Sequence, residues 1–186
     1  MLPRMTRRRA LWLLAVAVLG LFAVELAFDG RMQDAGGHGI IAFEVAFTSA
    51  KAHEIMSAWG ADGQHAARLS LWFDFLYLTA YGLFLWLAIR ALRDALVRRG
   101  WERLVRPAMA ISVLPLIGAA CDACENVFLL LVLDGHVESA GPLLAGSFAS
   151  VKFLCTGVAV LYLLAGLVAL AVARLRQRAA AGGGRA

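Results

Sequence analysis

Asp122, Glu125 and Asn126 stand at i, i+3 and i+4 inside one of the most apolar runs of the chain, beside Cys121 and Cys124. On a helix this spacing places two carboxyls and a carboxamide on one stripe. A carboxyl at the centre of a membrane-spanning helix costs roughly 2.5–3.5 kcal/mol on an insertion scale, so each must face inward and find a partner. Asp74, Tyr77 and Tyr81 form a second stripe, at i, i+3 and i+7. Lys152 is the only cation inside any of the long apolar runs and is the natural counter-charge for Glu125 or Asp122. The tyrosines can donate to a carboxylate, and Asn126 can donate or accept. Three carboxyls against one ammonium leave a surplus that a proton or a bound cation must balance.

Two other chemistries are suggested and set aside. Cys121 and Cys124 have Cys-x-x-Cys spacing, but a thiol exchange site needs further cysteines to pass electrons on. The third cysteine is Cys155, in another apolar run. The cysteines therefore read as small, polarisable packing residues. A metal site needs convergent ligands, and the histidines (His38, His53, His65, His136) show no His-x-x-x-His pair. No metal and no cofactor are expected.

The elements that must position these groups follow from composition. The chain has 186 residues, 61% of them apolar, against about 45–50% in soluble domains. Its mean hydropathy is +0.74. The excess falls in four blocks, at about 10–28, 69–89, 107–133 and 143–173, each near the ~20 residues that cross a bilayer core. The expected fold is all-α: a polytopic membrane protein built as a four-transmembrane-helix bundle. Residues 40–59 are too polar to span and read as an amphipathic segment. A stub precedes a helix from about Ser49 to Trp59, with Thr48-Ser49 as a cap and Gly60 to Gly63 as its end. Glu44 and His53 on this segment are candidates to reach down as a lid. Pro115 predicts a kink before Cys121. Residues 1–9 form a basic arm, and 174–186 read as a flexible tail. The arm followed by Ala10–Phe28 also resembles a signal peptide. Ala15-Val16-Ala17 lies inside the apolar run rather than after it, which favours an uncleaved first helix.

Charge sets the topology. Arm, Arg90–Arg106 loop and tail carry 14 of the 18 Lys and Arg, and the opposite side has Arg31, Lys51 and Arg68. The positive-inside rule places both termini in the cytoplasm, and the Ala/Leu/Val/Arg-rich composition suggests a bacterial plasma membrane. The basic segments flank spans, so they are topology signals and anionic-lipid contacts rather than a nucleic-acid surface. With 1.5 Å per residue, Asp74 lies ~8 Å, Glu125 ~12 Å and Asp122 ~17 Å below the outer ends of their helices. The polar chemistry is confined to the outer half, and Asp122, the deepest acid, is expected to hold the proton.

The sequence resembles a family of small, functionally uncharacterised bacterial four-helix integral membrane proteins. Phe43-Glu44, Trp59-Gly60, Asp74-Phe75-Leu76-Tyr77, Tyr81-Gly82, Asp122-x-x-Glu125-Asn126 and Val151-Lys152-Phe153 carry the likeness. It implies the fold and the grouping of these residues, and no activity. Three functions stay open. The first is binding or translocation of a small cationic or amphipathic ligand, or of protons, by Asp74, Tyr77, Tyr81, Asp122, Glu125, Asn126 and Lys152. The second is an intramembrane enzyme acting on a lipid or isoprenoid through a carboxyl acid/base pair. The third is a non-catalytic assembly protein that partners itself or another membrane protein. Whether the chain is an enzyme is open; the lipid bilayer is its one expected partner in all three.

Overall fold

The computed structural model describes residues 4–138 and 140–183, so the first three residues of the arm and the last three of the tail lie outside it. The described residues are helical with no strand. The helices are α1 (Arg4–Gly36), α2 (Ile40–Glu44), α3 (Ser49–Val97), α4 (Glu102–Val105), α5 (Ala108–Leu131) and α6 (Gly141–Gly183). A π-helical turn, Val132–His136, follows α5. The helices α1, α3, α5 (with its flanking turns) and α6 are each long and apolar enough to cross a membrane.

The helices run longer than the apolar blocks. The helix that starts at Ser49 stops at Gly60, as the sequence predicts: Gly60 is non-helical at φ 58°, ψ −160°, and a second helix runs on from there to Val97, so that α3 is two helices meeting in a kink. That backbone region is essentially confined to glycine. Apolar composition marks only the part of a helix that needs an apolar surround, and backbone hydrogen bonding carries α3 on through polar residues to Val97. In the same way, α4 forms within the Arg90–Arg106 loop, and α6 continues to Gly183 where a flexible tail is expected. Pro115 is accommodated inside α5 without a non-helical residue.

The short α2 is held by specific bonds rather than by length. Asp29 Oδ1 accepts from the Ile40 amide at 2.7 Å, which satisfies an orphan donor at the start of α2. Thr48 caps α3 by accepting from the Lys51 amide at 3.2 Å. Trp59 Nε1 donates to the His38 carbonyl at 2.7 Å, and its ring meets Phe43 edge-on at 5.1 Å. These contacts tie α2 and the first part of α3 into a cover at one end of the molecule.

Three apolar clusters are stacked along the helices. The first, at the α2 end, gathers Phe43, Ile55, Trp59, Leu71, Leu129 and Val132. The second holds Leu78, Tyr81, Leu85 and Ala119, and the third, at the arginine-rich end, Leu92, Leu96 and Leu170. α3 packs on α1, α5 and α6, while α5 and α6 pack on each other; α1 makes no comparable contact with α5 or α6. Gly118 makes the α5–α6 approach possible, since a Cβ there would come within 2.8 Å of Thr156 Oγ1. The unclosed side between α1 and α6 holds two of the cavities.

Candidate functional site

The polar stripes fall between the first and second apolar clusters, at the same level on three helices. On α3, Asp74 comes between Leu71 and Leu78; on α5, Asp122 to Asn126 come between Ala119 and Leu129. Helical periodicity that makes the flanking residues core also turns the polar ones inward. Glu125, Asn126, Asp122, Glu44 and Lys152 are 0%, 1%, 3%, 8% and 8% exposed, which makes this a buried ionic cluster and not a solvated face.

Lys152 is its centre. The ammonium lies 3.0 Å from Asp122 Oδ1, 3.2 Å from Glu44 Oε2 and 2.8 Å from Glu125 Oε2. The Glu125 contact is an ion pair, and neither Glu125 oxygen has a hydrogen-bond partner by geometry among the described residues. Asp122 Oδ2 also accepts from the Tyr81 hydroxyl at 2.9 Å. Donors therefore face both oxygens of Asp122. Outside the long helices, burial pushes the Glu44 carboxyl above the ordinary carboxylate range, with the Lys152 ammonium acting the other way.

A second polar group adjoins the first. Asn126 Nδ2 donates to Asp74 Oδ2 at 2.6 Å, and Ser70 Oγ donates to Glu25. Neither Asp74 nor Glu25 forms an ion pair among the described residues. Both border a cavity of about 430 Å³, as do Glu44, Asp122 and Lys152. The remaining wall is apolar and aromatic, with Phe22, Tyr77, Phe84 and Phe153 prominent. Tyr77 stacks on Phe22 at 6.2 Å and lies 5.4 Å from Tyr81, which lines α1 and α3 with one aromatic surface.

Of the residues singled out from the sequence, Asp74, Tyr77, Tyr81, Asp122, Asn126, Lys152 and Glu44 meet at this cavity. Glu125 stands behind Lys152 and does not border it. His53 is elsewhere: it is exposed and pairs with Glu138 at 2.7 Å. It lies off the face of that helix that Ala52 and Ile55 bury. Glu25 and Ser70 escaped the list. Glu25 is the one acid interrupting the first apolar run, which was a usable signal; Ser70 has none. Lys152 is buried rather than extended to the helix end, since three carboxylates hold it.

The cysteines do not join the site. Cys124 is exposed, Cys121 and Cys155 are half-buried, and all three are free thiols. Among the described residues no three of His, Cys, Asp and Glu converge as metal ligands; the ammonium of Lys152 occupies the centre where three carboxyls meet. Compared with protein-family models, curated proteins and solved structures, the chain matches none. The molecule is thus defined by its own architecture: all-helical, with four long apolar helices enclosing a buried ionic cluster beside an aromatic cavity.

Proposed function

We propose that the chain is a four-helix bundle of a bacterial plasma membrane, with both termini in the cytoplasm, that binds a small cationic amphiphile in the α2-end cavity. Bilayer placement is supported by the outward faces, where Trp12, Leu13, Leu154 and Leu161 are more than half exposed, as lipid-facing positions require. Orientation is supported by the sequence positions of the basic residues, 14 of 18 of which fall in the arm, the Arg90–Arg106 loop and the tail. A retained first helix is supported by Phe22 and Glu25, which form part of the cavity wall.

One observation carries the ligand class: Lys152 is already ringed by three carboxyls, and Asp74 and Glu25 remain beside the cavity without a cation. An ammonium seated between them gains charge-assisted hydrogen bonds and can face the aromatic wall. Its apolar body fits the rest of the lining, and the gap between α1 and α6 offers entry from the side. The acid/base reading has weaker support, because only Asp122 of the Asp122–Glu125 pair reaches the cavity.

The test is equilibrium binding of a labelled lipophilic amine to the chain in lipid nanodiscs. Asp74→Asn and Glu25→Gln are each expected to weaken binding on the order of tenfold, the worth of one charge-assisted hydrogen bond. Cys124→Ala, on an exposed face, is expected to bind like the parent. Equal binding by Asp74→Asn, Glu25→Gln and parent sinks the proposal.

A further inference from the structure

The arginines at the end opposite α2 are only partly used by the fold. Arg7 pairs with Asp94 at 2.6 Å, and Arg93 reaches the same carboxylate at 3.6 Å. Arg98, Arg99 and Arg174 have no carboxylate partner among the described residues. All three line one cleft of about 650 Å³, together with Trp101 and Gln177. Arg98 caps the end of α3, Arg99 lies in the turn before α4, and Arg174 comes from α6. Tertiary packing, and not a run of charge in the sequence, brings Arg174 to the other two. The Arg99 guanidinium stands 5.6 Å from the centroid of the Trp101 ring, so the cation is carried on an aromatic face.

The cleft does not end at its arginines. Ala95 and Leu170 on its floor also line an apolar groove of about 450 Å³, which continues between α1, α3 and α6 past Leu92 and Leu167 to Phe84. From Ala95 to Phe84 the groove follows α3 for ~16 Å at 1.5 Å per residue. That is about one leaflet, half of the ~30 Å hydrocarbon core. A cationic head joined end to end with an apolar trough of one leaflet's depth has the shape and chemistry of one kind of ligand.

We propose that this cleft and groove bind an anionic phospholipid, its phosphate held by Arg98, Arg99 and Arg174 and one acyl chain lying along Leu92 and Leu167. A soluble phosphate or a nucleic acid has no use for the groove, and a zwitterionic lipid brings an ammonium toward three arginines. Basic pockets between spanning helices are suited to anionic head groups, and Trp101 beside the arginines matches the enrichment of tryptophan at the head-group level. The site is separate from the acidic cavity and stands whether or not that cavity binds an amine.

The full chain, purified in detergent, is titrated with phosphatidylglycerol and with phosphatidylcholine, and bound lipid is counted by native mass spectrometry. Phosphatidylglycerol is expected to be retained over phosphatidylcholine. The triple variant Arg98→Gln, Arg99→Gln, Arg174→Gln is expected to lose roughly fivefold in affinity for each arginine. A control triple of equal charge, Arg103→Gln, Arg106→Gln, Arg176→Gln, is expected to bind like the parent. Leu167→Trp, at a half-exposed position, fills the groove and leaves the arginines in place; it is expected to lose phosphatidylglycerol as well. Unchanged melting of each variant in lipid-free detergent establishes that it is folded. Equal losses in the two triples reduce the effect to net charge and overturn the site. Full retention by Leu167→Trp overturns the acyl-chain groove. Displacement of the lipid by inorganic phosphate or a short oligonucleotide at equal concentration overturns the choice of a lipid.

Discussion

Lys152 is the residue on which the ionic cluster balances. It is the only cation among Glu44, Asp122 and Glu125, and removing it leaves three buried carboxyls without a counter-charge. Deleting one partner of a buried pair costs ~3–5 kcal/mol, because the remaining charge stays buried and unpaired. Lys152→Met is therefore expected to destabilise the chain by about that amount, read from unfolding in mixed detergent. Tyr81→Phe removes only the second donor to Asp122 and is expected to cost about 0.6 kcal/mol, the mean for a hydrogen bond between membrane helices. A smaller loss for Lys152→Met than for Tyr81→Phe removes the lysine from the centre of the site. The same comparison separates a cluster that holds the fold from one that only lines a pocket.

The cover formed by α2 and the first part of α3 is the element that makes the site differ from a plain helix bundle. Glu44 comes from α2, yet it contacts Lys152 of α6 at 3.2 Å, 108 residues away in sequence. The geometry depends on Gly60, the non-helical kink within α3 between the helix of the cover and the helix that carries Asp74. A Cβ at Gly60 meets no atom within 4 Å, so any cost of Gly60→Ala is the backbone's own. Holding a non-glycine residue in that region costs ~1–3 kcal/mol. The variant is expected to melt lower by that equivalent and to release the cover, seen as faster amide exchange of residues 40–59 than in the parent. A variant that keeps both the stability and the exchange rate of the parent shows that the turn at Gly60 is not what seats α2.

Over the whole molecule, charge is segregated along the helix axes. Acids and the single interior lysine occupy the level just below α2, while arginines ring the opposite end. The open side between α1 and α6 connects these regions along α3, with Phe84 bordering both the acidic cavity and the apolar groove. Orientation in the membrane is expected to follow the arginines. Reporter fusions at either terminus should be active only in the cytoplasm, and a reporter inserted between α1 and α2 only outside. Cytoplasmic activity at the α1–α2 insertion reverses the orientation and exchanges the leaflets assigned to the two sites.

The sequence by itself determined the helical class, the four apolar runs and the inward stripe of Asp122, Glu125 and Asn126. These depend on hydropathy and on a 3.6-residue period, both local properties of the chain. It also made Lys152 the natural counter-charge, since no other cation lies in an apolar run. Tertiary structure decided the rest. Glu44 and His53 sit nine residues apart on the same polar segment, yet Glu44 enters the cluster and His53 pairs with Glu138 at the surface. Which of them turns inward depends on the angle set at Val45–Thr48 and on the packing of Ala52 and Ile55, contacts that no periodicity encodes. Glu25 and Asp74 are 49 positions apart, and the folding of α1 against α3 makes them walls of one cavity. Pairings between helices are long-range, and a sequence pattern fixes the face of each helix without fixing its partner.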